Sequence, residues 1–192
     1  MRKLTAVLLA ATFAFTLSGC SSDPLAAQFR TGDQKNYISG DGAVSEFKNS
    51  KITGAAWTEV TFDGQTISSK DLLGHVTVLN FWYAGCAPCR AEVGDVIKIV
   101  NDYQAKGVYV VGVNVRDTSD TAAAFARTHK LNYPSVLDND SGAVVQAYTG
   151  VVSPSAVPTT LVINAAGKVT ARVLGRFEPS TLRALIDTAI KG

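Results

Sequence analysis

Three observations predict an α/β fold. Val76–Trp82 and Val108–Val115 are apolar, β-branched runs of the kind that fill buried central strands. Between them Val93, Val96, Ile97, Val100 and Tyr103 recur at helical spacing, which predicts a helix over Cys89–Gln104. Strand, helix and strand in this order and length make a βαβ unit with a parallel strand pair. The chain has 192 residues, enough for one domain with an appendage and a sizeable core.

The appendage comes first. Arg2 and Lys3 precede the uncharged stretch Leu4–Leu17, which Ser18-Gly19-Cys20 follows. A basic start, a short apolar run and small residues predict a secretory signal peptide over residues 1–19. The run is short for a spanning helix, which needs roughly 20 apolar residues. Leu17-Ser18-Gly19-Cys20 resembles the bacterial lipobox, which implies cleavage before Cys20 and lipid attachment at that cysteine. An ordinary signal peptide with an incidental cysteine is the alternative. Residues 20–52 are rich in Ser, Asp, Gly, Gln, Lys and Asn, and are expected to be a flexible tether to the membrane surface. The domain proper is expected over 53–192.

Charge excludes several function classes. The chain carries 18 Lys+Arg against 16 Asp+Glu, and both basic residues in excess lie in the signal segment. A balanced chain with 18% charged residues is neither disordered nor a dedicated nucleic-acid binder. With three cysteines, a disulfide scaffold is also out.

Within the domain, Trp57–Phe62 alternates and Asp63-Gly64 marks a turn before Thr66-Ile67, which predicts an N-terminal β-hairpin. Ser68 to Asp71 offers a capping box ahead of Leu72-Leu73. After the βαβ unit, Thr118-Ser119-Asp120 caps a helix over about 121–130. A short strand Ser135–Leu137 and a short helix Gly142–Tyr148 follow as a central α/β insertion. Thr159–Ile163 and Val169–Leu174 flank a Gly-containing loop and read as an antiparallel hairpin. Pro179 opens the last helix, with Leu182, Leu185, Ile186 and Ala189 on one face. The sum is a mixed central sheet with helices on both faces.

The chemistry concentrates at Cys86-Ala87-Pro88-Cys89. A strand ends near Trp82 and a helix begins near Cys86, where unpaired backbone N–H groups and the helix dipole favour a thiolate. Two intervening residues bring Cys89 round one turn, within disulfide reach. Cys86, on the outer edge, is the expected nucleophile, and Cys89, nearer the core, the resolving thiol. A zinc site wants four ligands, and His75 and His129 are the only histidines available. An inert structural disulfide is the other alternative, although so small a loop contributes little.

From Trp57 to the C-terminus the chain resembles the thioredoxin superfamily, and within it the membrane-anchored TlpA/ResA-like thiol–disulfide oxidoreductases. The residues that carry the likeness are Asp63-Gly64, Asn80-Phe81-Trp82, Cys86-Ala87-Pro88-Cys89-Arg90-Ala91-Glu92, Gly107–Asn114, Val157-Pro158-Thr159-Thr160 and Asn164–Gly167. The resemblance implies a thioredoxin-like fold in which Pro158 is cis and faces the cysteine pair. It also implies that Val157, Pro158 and Trp82 border the substrate, and that Glu92 assists proton movement near Cys89. Cys89, Glu92, Val96, Ile99 and Tyr103 share one helical stripe, so Glu92 lies beside the apolar face. Its alternative role is a first-turn glutamate favoured by the helix dipole. Asn80 stands where thioredoxins carry a buried aspartate, and an amide cannot titrate.

The function so implied is an extracytoplasmic, lipid-anchored thiol–disulfide oxidoreductase, acting as a reductase of exported proteins such as apocytochrome c. No cofactor is expected beyond the Cys86–Cys89 dithiol. The expected partners are protein substrates with cysteine pairs, a membrane electron-donating thiol protein and the membrane itself through Cys20, with no nucleic acid and a monomeric state. Two departures matter: Gly85 replaces the bulky residue that often precedes the first cysteine, and the Ala-Pro interior is unlike the Pro-His of strong oxidants. A reduction potential well below about −120 mV is therefore expected. Two rival readings are a disulfide-forming oxidase and a copper-binding or metallochaperone module on the same scaffold. Related copper proteins use a CxxxC spacing and a later histidine, whereas this chain has CxxC. A peroxidatic Pro-x-x-x-Thr-x-x-Cys pattern is absent.

Overall fold

A computed structural model of the chain describes residues 42–153 and 155–192. The signal segment, the lipobox Cys20 and most of the expected tether lie outside the described residues.

The central strand β4 (Thr77–Trp82) is buried along its whole length. Helix α1 (Ala87–Tyr103) follows it, then β5 (Tyr109–Asn114), which pairs with β4 in parallel with Thr77 opposite Tyr109. The chain continues through α2 (Ser119–His129), β6 (Ser135–Leu137) and the short α3 (Ala143–Ala147). It then forms the hairpin β7 (Thr159–Ile163) and β8 (Val169–Leu174) and closes with α4 (Pro179–Lys191). The expected N-terminal hairpin is β2 (Thr58–Val60) with β3 (Thr66–Ser68), joined through Gly64 in the left-handed region.

One boundary differs from expectation. Ala43–Glu46, read from composition as tether, is strand β1, antiparallel to β8 with Ala43 opposite Leu174. The six-stranded sheet has the order β1-β8-β7-β4-β5-β6, so the domain begins at its edge strand. Three of its four residues are exposed, and backbone pairing rather than an apolar face holds the strand in place.

Period-2 alternation sends consecutive residues of the sheet to opposite faces. Val78, Val110, Val162 and Val173 pack with Val96 and Ile99 of α1 and Leu182 and Ile186 of α4. Leu79, Phe81, Val111, Val113 and Leu161 pack on the other face with Trp57, Leu72, Val144 and Tyr148. This is the mixed sheet covered on both faces that the sequence predicts. Gly112 is required where the sheet is tightest: a Cβ there would stand 2.6 Å from Ser135 Oγ and 2.9 Å from Trp82 Nε1.

Candidate active site

Every approach to the cysteine pair is set by the end of β4. The chain leaves the strand at Trp82, turns through Tyr83-Ala84-Gly85 and enters α1 with Cys86 as its N-cap. The turn is pinned from the neighbouring loop: Asp117 Oδ2 accepts from the Ala84 N–H (2.6 Å) and from Asn114 Nδ2 (2.7 Å). Asn114 Oδ1 in turn accepts from the Arg116 and Asp117 N–H groups, at 3.1 and 2.8 Å. Asp117 is not identifiable from sequence as part of the site, because the Ala84 N–H it accepts from lies 33 residues away along the chain. Pro88 occupies the first turn of α1, where its missing N–H costs nothing.

Cys86 and Cys89 are joined in a disulfide with their Cα atoms 5.2 Å apart. Cys86 Sγ accepts from the Cys89 N–H at 3.2 Å, so a helix N-terminal donor points at this sulfur. Cys86 is not on an outer edge. It is 0% exposed against 3% for Cys89, because it packs into the same buried cluster as Trp82 and Val157. The Val157–Pro158 bond is cis, as the resemblance implies. Trp82 is buried: its ring lies against Phe125 at 4.7 Å between centroids, and its N–H donates to Ser135 Oγ at 2.9 Å.

Glu92 sits one turn beyond Cys89 on the buried side of α1 and is 1% exposed. Its Oε1 accepts from Asn80 Nδ2 at 2.9 Å, and the same amide donates to Thr160 Oγ1 at 3.2 Å. Oε2 has no hydrogen-bond partner among the described residues. Burial pushes the carboxyl up to about 8, against the pull of the Asn80 amide, the Phe177 backbone and the Arg176 guanidinium and with a small push from Asp95. Near neutral pH the group is therefore largely protonated. Tyr133, also buried, is raised by desolvation and by the Glu92 carboxylate, so the two groups share one environment. Thr160, opposite Asn80 in the β4–β7 register, is the third member of this network.

A disulfide at a helix N-terminus, a buried carboxyl one turn away and a cis-proline loop in one molecule raise the question of relatives. The model of the family described as AhpC/TSA matches residues 46–172. The chain belongs to the AhpC/TSA family. Within this family setting it is 36% identical over 120 residues to the thiol-disulfide oxidoreductase ResA of Bacillus subtilis (strain 168), covering 62% of this chain and 64% of that protein. The chain thus spans less than two thirds of that relative's length. Its structure matches a secreted thiol-disulfide isomerase from Corynebacterium glutamicum with a TM-score of 0.66 at 29% identity, over 72% of this chain and 86% of that one. A thioredoxin-family thiol:disulfide interchange protein from Chlorobium tepidum TLS gives a TM-score of 0.66 at 24% identity, over 72% and 96% of the two chains, a likeness of fold. The thioredoxin-like fold and the likeness to ResA-type proteins are as the sequence predicts.

Proposed function

We propose that this chain is an extracytoplasmic thiol–disulfide oxidoreductase that reduces disulfides of exported proteins. The observation that carries the reading is the Cys86–Cys89 disulfide across the first turn of α1, with a backbone N–H directed at Cys86 Sγ. In the reduced protein the Cys86 thiolate attacks one sulfur of a substrate disulfide, the other substrate sulfur leaves as a thiolate, and a mixed disulfide forms. Cys89, deprotonated, then attacks Cys86 Sγ, releases the second substrate thiol and closes the internal disulfide. Two electrons pass from the protein dithiol to the substrate. A membrane dithiol partner returns them.

Glu92, one turn from Cys89, is the group positioned to move its proton: its carboxylate form takes the Cys89 thiol proton for resolution, and the neutral acid so formed returns it to the Cys89 sulfur when the internal disulfide is reduced again. Val157 and Pro158 provide the backbone against which a cysteine-containing strand of the substrate lies. Likeness to ResA-type proteins supports haem-site cysteines of apocytochrome c as a client, and the lipobox at Cys20 supports a lipid anchor outside the cell membrane. No helix among the described residues is long and apolar enough to cross a membrane.

The test is a Cys89→Ser variant, which stalls resolution and accumulates covalent mixed disulfides with clients. Absence of such adducts, together with exchange no faster than a simple dithiol, would overturn the reading. A measured potential near about −120 mV would reverse the working direction to that of an oxidase.

A further inference from the structure

The end of the domain remote from the disulfide carries an unusual surface. β4 runs from Thr77 to Trp82, so the residues beside Thr77 lie at the pole opposite the Cys86 turn. Tyr109 and Ile163 pair with Thr77 there, and the 164–168 turn extends the same pole. Helix α4 also ends here, its last turns bordering one concavity of about 590 Å³ together with Lys168 and the 46–51 segment.

Two independent features coincide at this pole. Lys48, Lys51 and Lys168 line the concavity and Lys191 stands beside it, all exposed and none in an ion pair with a carboxylate of the described residues. Glu46 is the acidic side chain on that lining, and Asp187 nearby is taken by Lys106 at 3.9 Å. The second feature is apolar. Of the five large hydrophobic side chains exposed among the described residues, Leu73 (56%), Tyr109 (46%) and Ile190 (44%) stand at this pole. Leu73 touches the 164–168 turn: a Cβ on Gly167 would lie 3.0 Å from its Cδ2, and the adjacent Gly74 N–H donates to the Ala165 carbonyl at 2.9 Å. Tyr109 stacks on His75 at 4.5 Å.

Exposed aliphatic and aromatic side chains at the same pole as unpaired lysines match the chemistry of a bilayer interface, where apolar groups enter the headgroup boundary and lysines meet lipid phosphates. The geometry points to this pole as a docking face for an anionic phospholipid surface, which would turn the disulfide end away from the membrane. A bilayer suits the face better than a small anion does, because the lysines are spread around the rim of an open concavity rather than converging on one point. Chain length gives the face a purpose. Residues 21–41 can span up to roughly 70 Å when extended, so attachment at Cys20 alone would not set which pole faces the bilayer. The inference goes beyond the proposed redox activity and does not depend on it.

The experiment is lysine acylation footprinting of the full chain on vesicles of phosphatidylcholine alone and of phosphatidylcholine with phosphatidylglycerol, read by mass spectrometry. Attachment through the N-terminal segment is common to both vesicles, so their difference reports the face. Lys48, Lys51, Lys168 and Lys191 should be acylated at least about fivefold more slowly on the anionic vesicles, with the protection lost at high salt. Lys130, at the end of α2 before β6 on the sheet edge opposite β1, should react equally on both. A Lys48→Glu, Lys168→Glu, Lys191→Glu triple variant should lose protection at Lys51 while its disulfide is reduced by dithiothreitol at the unchanged rate. Equal acylation of the four lysines on the two vesicles, or equal protection of Lys130, overturns the proposal.

Discussion

Replacing Glu92 by glutamine should remove most of the pH dependence of stability in the disulfide form. The carboxyl titrates at about 8 in the folded chain against 4.5 when free, with burial as the main cause. Between these values the native state holds a proton that the unfolded chain has released, so stability falls as pH rises through the window. It is full below about 4.5, declines to about 8 and is level above. Each tenfold difference in proton affinity is about 1.4 kcal/mol, so the whole decline is on the order of 5 kcal/mol. Glutamine copies the neutral acid in shape and keeps an oxygen for the Asn80 amide at 2.9 Å. The variant should therefore match the parent at the acid end of the window and exceed it by several kcal/mol at the alkaline end. Urea unfolding of the oxidised proteins across this pH range, followed by fluorescence of the buried Trp57 and Trp82, measures both curves. Parallel curves for parent and variant would refute a buried, proton-holding carboxyl.

Two further substitutions probe the frame around the disulfide. Gly112→Ala places a methyl against Ser135 Oγ and Trp82 Nε1, and should cost about 1–3 kcal/mol in urea unfolding while displacing the Trp82–Ser135 hydrogen bond. Asp117→Ala frees the Ala84 N–H and the Asn114 amide, and should cost about 1–3 kcal/mol. Amide exchange at Ala84 should accelerate at least about tenfold in that variant, whereas exchange within α4 should change only as much as global stability does.

Much of this fold is legible in the sequence because local signals and tertiary structure agree. Strands Ser135–Leu137, Thr159–Ile163 and Val169–Leu174 form over the residues predicted for them, each bounded by turn residues such as Asn164, whose Oδ1 accepts from the Ala166 and Lys168 N–H groups. The illegible parts depend on distant partners. Ala43–Glu46 shows no apolar face of its own and becomes a strand because β8 offers it a free edge. A helix N-cap reads as an exposed position, yet packing within the buried cluster that includes Trp82 and Val157 buries Cys86 completely. The stripe on α1 does predict that Glu92 turns inward, whereas its Asn80 and Thr160 partners follow from strand register, which the sequence does not display.

The Asn80–Glu92 pair also bears on which sulfur carries charge in the proposed exchange. Reducing the disulfide to two thiols takes two electrons and two protons, and both sulfurs are buried away from solvent donors. A charged Glu92 would face a Cys89 thiolate in the same buried region, and two like charges there oppose each other strongly. With the carboxyl neutral, one negative charge is formed at a time, and the proton Glu92 holds is available to cancel it. Asn80 keeps this to a single proton: its amide donates to the carboxyl oxygen at 2.9 Å but has none to give up. Cys86 has the opposite setting, with the Cys89 N–H at 3.2 Å and the N-terminus of α1 behind it, which favours charge on its sulfur. The asymmetry between an attacking thiolate and a resolving thiol thus arises from two ends of one helical turn, one supplied with backbone donors and the other with a carboxylic acid.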